Sequence, residues 1–221
     1  MKSKNLIIIT LVAITLQFFG CENTSSPVTV EETIQDIESQ RIKDGFGIIP
    51  IDILSDAEKE GLIFMREEEK LAQDVYLYFY EKYGNNIFNN IAKAESTHMA
   101  SLKTLLDKYN LKDPVLVEDI GYFQNEMLGG LYTQLTEAGN VSLVEAIKVG
   151  LTIKDLDIKD LMEYTIDLRN ADMITIYESL TKGSRNHMRS YYSQLVQNGG
   201  TYEPQFITQE LFDYIINSPR E

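Results

Sequence analysis

The sequence predicts an all-α fold: four long helices forming a bundle, a long crossover between the second and third, and a short helix near the C-terminus. Three observations predict it. Apolar residues recur at three- and four-residue spacing over four long stretches. Two Ser-x-x-Glu patterns, Ser55-Asp56-Ala57-Glu58 and Ser142-Leu143-Val144-Glu145, stand at the start of two of those stretches, where Ser and Glu can satisfy free backbone amides. No stretch of useful length alternates apolar and polar residues, so strands have no support.

The first helix starts at the Ser55 capping box, runs to about residue 83 and is stopped by Gly84. Asn86 caps a second helix, whose apolar stripe is Ile87, Ile91, Ala94, His98, Leu102, Leu105 and Tyr109; Asn110 and Pro114 end it. A long connection follows, from residue 111 through Gly121 and Gly129-Gly130, with a short helical candidate at 125–137. A crossover of this length lets the second and third helices run parallel. The third helix opens at the Ser142 box, lines one side with Leu143, Ala146, Ile147, Gly150, Ile153, Ile158 and Leu161, and ends near Leu168. Asp172 starts the fourth, with Met173, Ile176, Tyr177, Leu180, Ser184, His187, Tyr191 and Leu195 inward, and Gly199-Gly200 closes it. A last short helix over 208–216 packs as a lid.

The N-terminus differs in kind. Lys2 and Lys4, an apolar run over 6–19 and Gly20-Cys21 follow the order of a secretory signal peptide, which assigns residues 1–20 to a cleaved leader. The run is shorter than the roughly 20 residues a membrane-spanning helix needs. Cys21 is the only cysteine, so an internal disulfide is excluded. Leu16-Gln17-Phe18-Phe19-Gly20-Cys21 resembles a loose bacterial lipobox, which makes Cys21 the expected lipidation site; the competing reading is an unmodified cysteine just past an ordinary cleavage site. Lipoproteins of that kind carry several acyl chains on one residue, enough for firm attachment. The expectation is an exported cell-envelope lipoprotein, periplasmic or on the outer surface, whose contact with the membrane is the lipid anchor alone. Residues 21–50 read as the lipidated cysteine and a polar tether, in which 34–42 is a short helix candidate, and 51–221 as the folded domain.

The formal charge of −14 becomes more negative still once Lys2 and Lys4 leave with the leader. That disfavours nucleic acid and anionic lipid as partners and favours cations. There is no Gly-rich phosphate loop and no Cys-x-x-Cys pair, so nucleotide binding, thiolate metal sites and thiol redox chemistry have no support.

Glu95-Ser96-Thr97-His98 places a carboxylate and an imidazole three residues apart, on one face of the second helix and near the middle of its apolar stripe. Burying an ionised carboxylate without a partner costs several kcal/mol, so a Glu there calls for a cation or a hydrogen-bond network. The chain has two histidines, and the other, His187, also lies on the inward face of its helix. The first helix reads Glu67-Glu68-Glu69-Lys70-Leu71-Ala72-Gln73-Asp74-Val75-Tyr76. Here the resemblance to ferritin-like proteins becomes specific. Their first helix typically carries a metal-binding Glu, an Ala three residues on and a Tyr seven residues on, as do Glu69, Ala72 and Tyr76. Glu68 lies on the same face as an alternate ligand, while Glu67 points away and reads as a solvated charge.

Over about residues 55 to 215 the chain is similar to the ferritin-like family catalogued as domain of unknown function 2202. The stretches that carry the resemblance are Met65-Arg66-Glu67-Glu68-Glu69-Lys70-Leu71-Ala72, Ala94-Glu95-Ser96-Thr97-His98-Met99, Asp157-Ile158-Lys159-Asp160-Leu161 and Gly183-Ser184-Arg185-Asn186-His187. The resemblance implies a ferritin-like four-helix bundle and metal binding, and no activity. A full di-iron bundle takes one Glu from each of two helices and a Glu-x-x-His from each of the other two. This chain departs from that pattern: Ser184 stands where the second Glu-x-x-His needs Glu, and Lys154 occupies the centre of the third helix's face, where an acidic residue is expected. Asp157 is the better remaining candidate, followed by Tyr164 at seven residues, and Asp155 lies at the edge of the face.

Three readings stay open. The first is a metal-binding protein at the cell envelope, holding one or two divalent ions, iron first and manganese, zinc or calcium as alternatives, through Glu69, Glu95, His98, Asp157 and His187. The second is a di-iron oxidase or ferroxidase built on the same residues. The third is a metal-free structural or interaction bundle. Pairing through a helix face into a homodimer is expected of bundles of this class.

Overall fold

The computed structural model describes residues 53–221. The leader, Cys21, the tether and the 34–42 helix candidate lie outside the described residues. Six helices and no strand occur among the described residues: α1 (Asp56–Tyr83), α2 (Asn86–Lys108), α3 (Glu126–Gly139), α4 (Leu143–Thr165), α5 (Ala171–Gln197) and α6 (Gln209–Asn217). No helix among them is long and apolar enough to cross a membrane.

Local chemistry sets the helix ends. Ser55 Oγ accepts from the Glu58 amide at 3.2 Å, and the Ser55 amide donates back to Glu58 Oε2 at 2.8 Å, so the first capping box is complete. Gly84 ends α1 at φ 64°, a left-handed conformation that glycine adopts without a Cβ penalty, and its amide donates to the Tyr80 carbonyl. The cap of α2 is Asn85, one residue before the expected Asn86, because the Asn85 side chain is the one that accepts from the Ile87 amide, at 3.1 Å. The second box forms only half. Ser142 Oγ accepts from the Glu145 amide, but the Glu145 carboxylate turns to Lys148 at 2.8 Å. α4 ends at Thr165, slightly earlier than expected, and Asn170 and Thr208 cap α5 and α6.

α1 packs mainly on α2 and α4 mainly on α5; the two pairs meet where α1 touches α4 and α2 touches α5. The residue 84–85 turn and the 166–170 link are short, which makes each pair antiparallel. α3 lies against α1 and α4, and α6 against α5.

The buried apolar residues fall into two clusters. One gathers Leu71, Val75, Tyr76, Phe79, Phe88, Ile147, Leu151, Tyr191 and Leu195. The other gathers Leu62, Met65, Leu102, Leu105, Leu161, Met173, Tyr177 and Leu180. Each long helix feeds one cluster with one half and the second cluster with the other. Between the halves each helix carries polar residues: Glu68 and Glu69 on α1, Glu95 and His98 on α2, Lys154 and Asp157 on α4, Ser184 and His187 on α5. The core is thereby divided by a polar layer.

Candidate metal centre

Burying this layer is expensive unless its charges compensate one another. Glu69, Glu95, Lys154, Asp157 and Ser184 are all essentially buried, and the two histidine side chains keep 13% of their surface. His98 Nδ1 stands between two carboxylates, 2.8 Å from Glu95 Oε2 and 3.3 Å from Glu69. One oxygen each of Glu69 and Glu95 and a ring nitrogen of His98 lie within 4.8 Å of one another. Glu95 Oε1 faces the opposite way, 3.0 Å from Lys154 Nζ and 3.2 Å from His187 Nδ1. Lys154 Nζ also donates to Asp157 Oδ2 at 2.9 Å, and Ser184 Oγ donates to the same oxygen. The two imidazole rings stack with centroids 5.7 Å apart.

The compensation is incomplete. Glu69 Oε1 and Asp157 Oδ1 accept no hydrogen bond, whereas Glu95 has His98, Lys154 and His187 within 2.8, 3.0 and 3.2 Å of its two oxygens. Burial pushes the Glu69 carboxyl up to about 8; Asp157 and Glu95 add to the rise, against the pull of His98 and Lys154. Burial also opposes ionisation of Glu95, but Lys154 and the imidazoles outweigh it and hold this carboxyl well below the usual range. For His98 burial works downward, yet the Glu69 and Glu95 carboxylates raise it to about 11. Lys154 is raised in the same way: desolvation disfavours its charge, and Asp157, Glu95 and Glu69 more than offset that.

Glu68, the alternate ligand, is buried on the Asp160 side of the layer, where it meets the Asp160 carboxyl. Desolvation, then Asp160 and Asp157, raise its carboxyl well above the ordinary value. Tyr76 and Tyr191 close the layer towards the first apolar cluster, their rings 5.3 Å apart.

Five of the seven residues expected as ligands, Glu69, Glu95, His98, Asp157 and His187, meet in this layer. Asp155 does not join it. Its carboxylate is taken up by the segment before α6, accepting from Tyr202 Oη at 2.9 Å and from the amides of Gln205, Phe206 and Ile207 at 2.5, 3.2 and 2.8 Å. Four donors leave this side chain as an anchor for the C-terminal segment. Glu67 is 3% exposed rather than solvated, because the crossover folds over its face of α1. It accepts from the amides of Gln124 at 2.6 Å and Asn125 at 3.1 Å.

Sequence reasoning also missed Gly183. A Cβ there would fall 2.7 Å from His98 Nε2, so glycine is what lets α5 approach the imidazole. A glycine inside a helix costs about 1 kcal/mol relative to alanine, and that cost was the available signal.

These features define a class: all-helical proteins that bury a carboxylate–histidine layer between long helices. The chain belongs to the family described as Uncharacterized protein domain (DUF2202), which matches residues 58–219. It is 50% identical over 173 residues to the uncharacterized protein MJ0754 of Methanocaldococcus jannaschii, covering 78% of this chain and 94% of that protein. Its fold is similar to the crystal structure of hypothetical protein MJ0754 from Methanococcus jannaschii DSM 2661, with a TM-score of 0.76 at 51% identity, over 76% of this chain and 97% of the other.

Proposed function

We propose that the protein is a divalent-metal-binding protein of ferritin-like architecture, with α1, α2, α4 and α5 as the four-helix bundle and the α3 segment as its crossover. The observation that carries this reading is the convergence of Glu69, Glu95 and His98 on one buried point while carboxylate oxygens there lack hydrogen-bond donors. The residues fit a small cation. Ligand atoms about 2.0–2.2 Å from one ion lie about 3–4 Å apart, and here His98 Nδ1 is 2.8 Å from Glu95 and 3.3 Å from Glu69, with the three ligand atoms within 4.8 Å of one another. Two carboxylates and an imidazole suit iron, manganese or zinc, and the imidazole argues against calcium, which takes oxygen ligands.

Charge supports the same conclusion. Glu69, Glu95 and Asp157 carry three negative charges when ionised and Lys154 one positive, leaving two to be met by one divalent ion or by two protons. Metal uptake is therefore an exchange of protons for the ion. When bound, an iron-type ion supplies Lewis acidity or redox chemistry. The chain's own contribution is to hold the ligands, keep water out with Tyr76 and Tyr191, and carry the displaced protons. Cys21 lipidation would place this centre at the cell envelope.

Two measurements test the reading. Metal content and melting temperature of protein purified without chelator should show bound metal and a rise on adding ferrous, manganous or zinc ions. Unchanged melting with every ion and with chelator contradicts it, and favours a metal-free polar core, the reading to which the Lys154 ion pairs lend support. Oxygen consumption on adding ferrous iron tests the oxidase extension.

A further inference from the structure

We propose that Lys154 is a built-in cation that occupies one of two cation positions in the layer, so that each chain holds a single divalent ion, on the Glu69–Glu95–His98 side. The inference rests on the metal-binding reading above and specifies how many ions it admits and where.

Glu95 faces two ways. Its Oε2 turns to His98 and the Glu69 side, and its Oε1 turns to Lys154 and His187. A carboxylate placed like this bridges two cations. The second of them is already covalently present: Lys154 Nζ lies 3.0 Å from Glu95 Oε1 and 2.9 Å from Asp157 Oδ2, spanning α2 and α4 as a bridging ion would. The ammonium is fully buried, and the Tyr76 ring covers it at 5.9 Å. Its contacts have ammonium–oxygen lengths, well beyond the roughly 2.0–2.2 Å of a small divalent ion on oxygen.

Charge is consistent with that count. The three carboxylates that face the two positions, Glu69, Glu95 and Asp157, and the one ammonium leave two negative charges, which one divalent ion neutralises. A second ion would add two more positive charges beside an ammonium that cannot move to solvent. Ser184 completes the arrangement: where a ligand carboxylate would serve a second ion, a hydroxyl donates to Asp157 instead. His187, on the Lys154 side of Glu95, is then a neighbour of the ammonium, and His98 is the histidine that binds the ion.

Titration of the full chain with manganous chloride, read by bound metal after desalting and by electron paramagnetic resonance, decides the matter. The wild type should bind one ion per chain with the spectrum of an isolated ion. Lys154→Met should bind two with a spin-coupled spectrum, and adding Asp157→Asn to that variant should return it to one. His98→Ala should lose the wild-type ion, and His187→Ala should keep it. Two ions in the wild type, or one in a folded Lys154→Met, overturns the inference and leaves metal binding standing. No ion in the wild type overturns the metal-binding reading and the inference together. If Lys154→Met does not fold, the wild-type count decides.

Discussion

Helix α1 carries buried charge on two faces, and the two sets are met differently. Towards the crossover it turns Arg66, Glu67, Lys70 and Asp74. Arg66 holds Asp113 through two donors at 3.2 and 3.1 Å, Glu67 accepts the Gln124 and Asn125 amides, Lys70 donates to Asp74 at 2.5 Å and to the Asp119 carbonyl at 2.9 Å, and Asp74 accepts the Gly121 amide. Towards the other long helices it turns Glu68, which meets a second carboxyl at Asp160, and Glu69, whose Oε1 accepts no hydrogen bond. Burial is equal on the two faces. What separates them is whether fixed groups of the protein complete the charge, and the proposed cation is placed at unmet oxygens, not at a buried charge as such.

The largest effect should come from breaking the satisfied face. Lys70→Met leaves Asp74 buried without its cation and should cost about 3–5 kcal/mol in urea denaturation. The loss should be the same with chelator as with metal, since no ligand is touched. A loss that metal abolished in this variant would erase the distinction between the faces.

Next in size is the metal term. At a free ion concentration about one hundred times the dissociation constant, the wild type should gain about 2.7 kcal/mol over its chelated form, because the ion binds only the native state. Lys70→Met should keep that increment, and His98→Ala should lose it, in paired thermal melts.

Gly183→Ala is smaller. Overpacking against His98 costs about 1–3 kcal/mol, and alanine returns about 1 kcal/mol of helix propensity, for a net loss of up to about 2 kcal/mol. Its sharper readout is metal affinity, which should fall because the imidazole is displaced. An unchanged manganese affinity would show that the close approach is packing alone.

Most of the fold was legible because helix signals are local. Ser55, Gly84, Asn125 and Thr208 act through atoms within a few residues. Glu69, Glu95, His98 and His187 were legible for a related reason, since helical spacing alone puts them inward near mid-helix. Partners distant in sequence were not legible. Asp155 and Asp157 differ by two positions, yet one meets the 202–207 segment and the other Lys154, and only the packed chain shows which. Glu67 read as solvated because the crossover that buries it lies over fifty residues away in the chain. Lys154 looked like a defect in a ligand set until its distances to Glu95 and Asp157 made it a cation of the layer.

The smallest effect is a slope. The Glu69 carboxyl is raised by burial from 4.5 to about 8, so the native chain binds this proton more tightly than the unfolded one. The resulting stabilisation is fully present below about pH 4.5 and is lost as pH rises through about 8. His98, raised from 6.5 to about 11 by Glu69 and Glu95 against the effect of burial, acts with the same sign above pH 6.5. In chelator, stability should therefore decline from pH 6.5 to 8, less steeply in Glu69→Gln. An identical decline in Glu69→Gln would remove Glu69 as its source.

The most direct test is anomalous diffraction from crystals grown with ferrous, manganous or zinc ions. The account predicts a peak in the polar layer, about 2.0–2.2 Å from a carboxylate oxygen of Glu69, one of Glu95 and Nδ1 of His98. Density in that layer with no anomalous signal, or peaks confined to surface carboxylates, would contradict it.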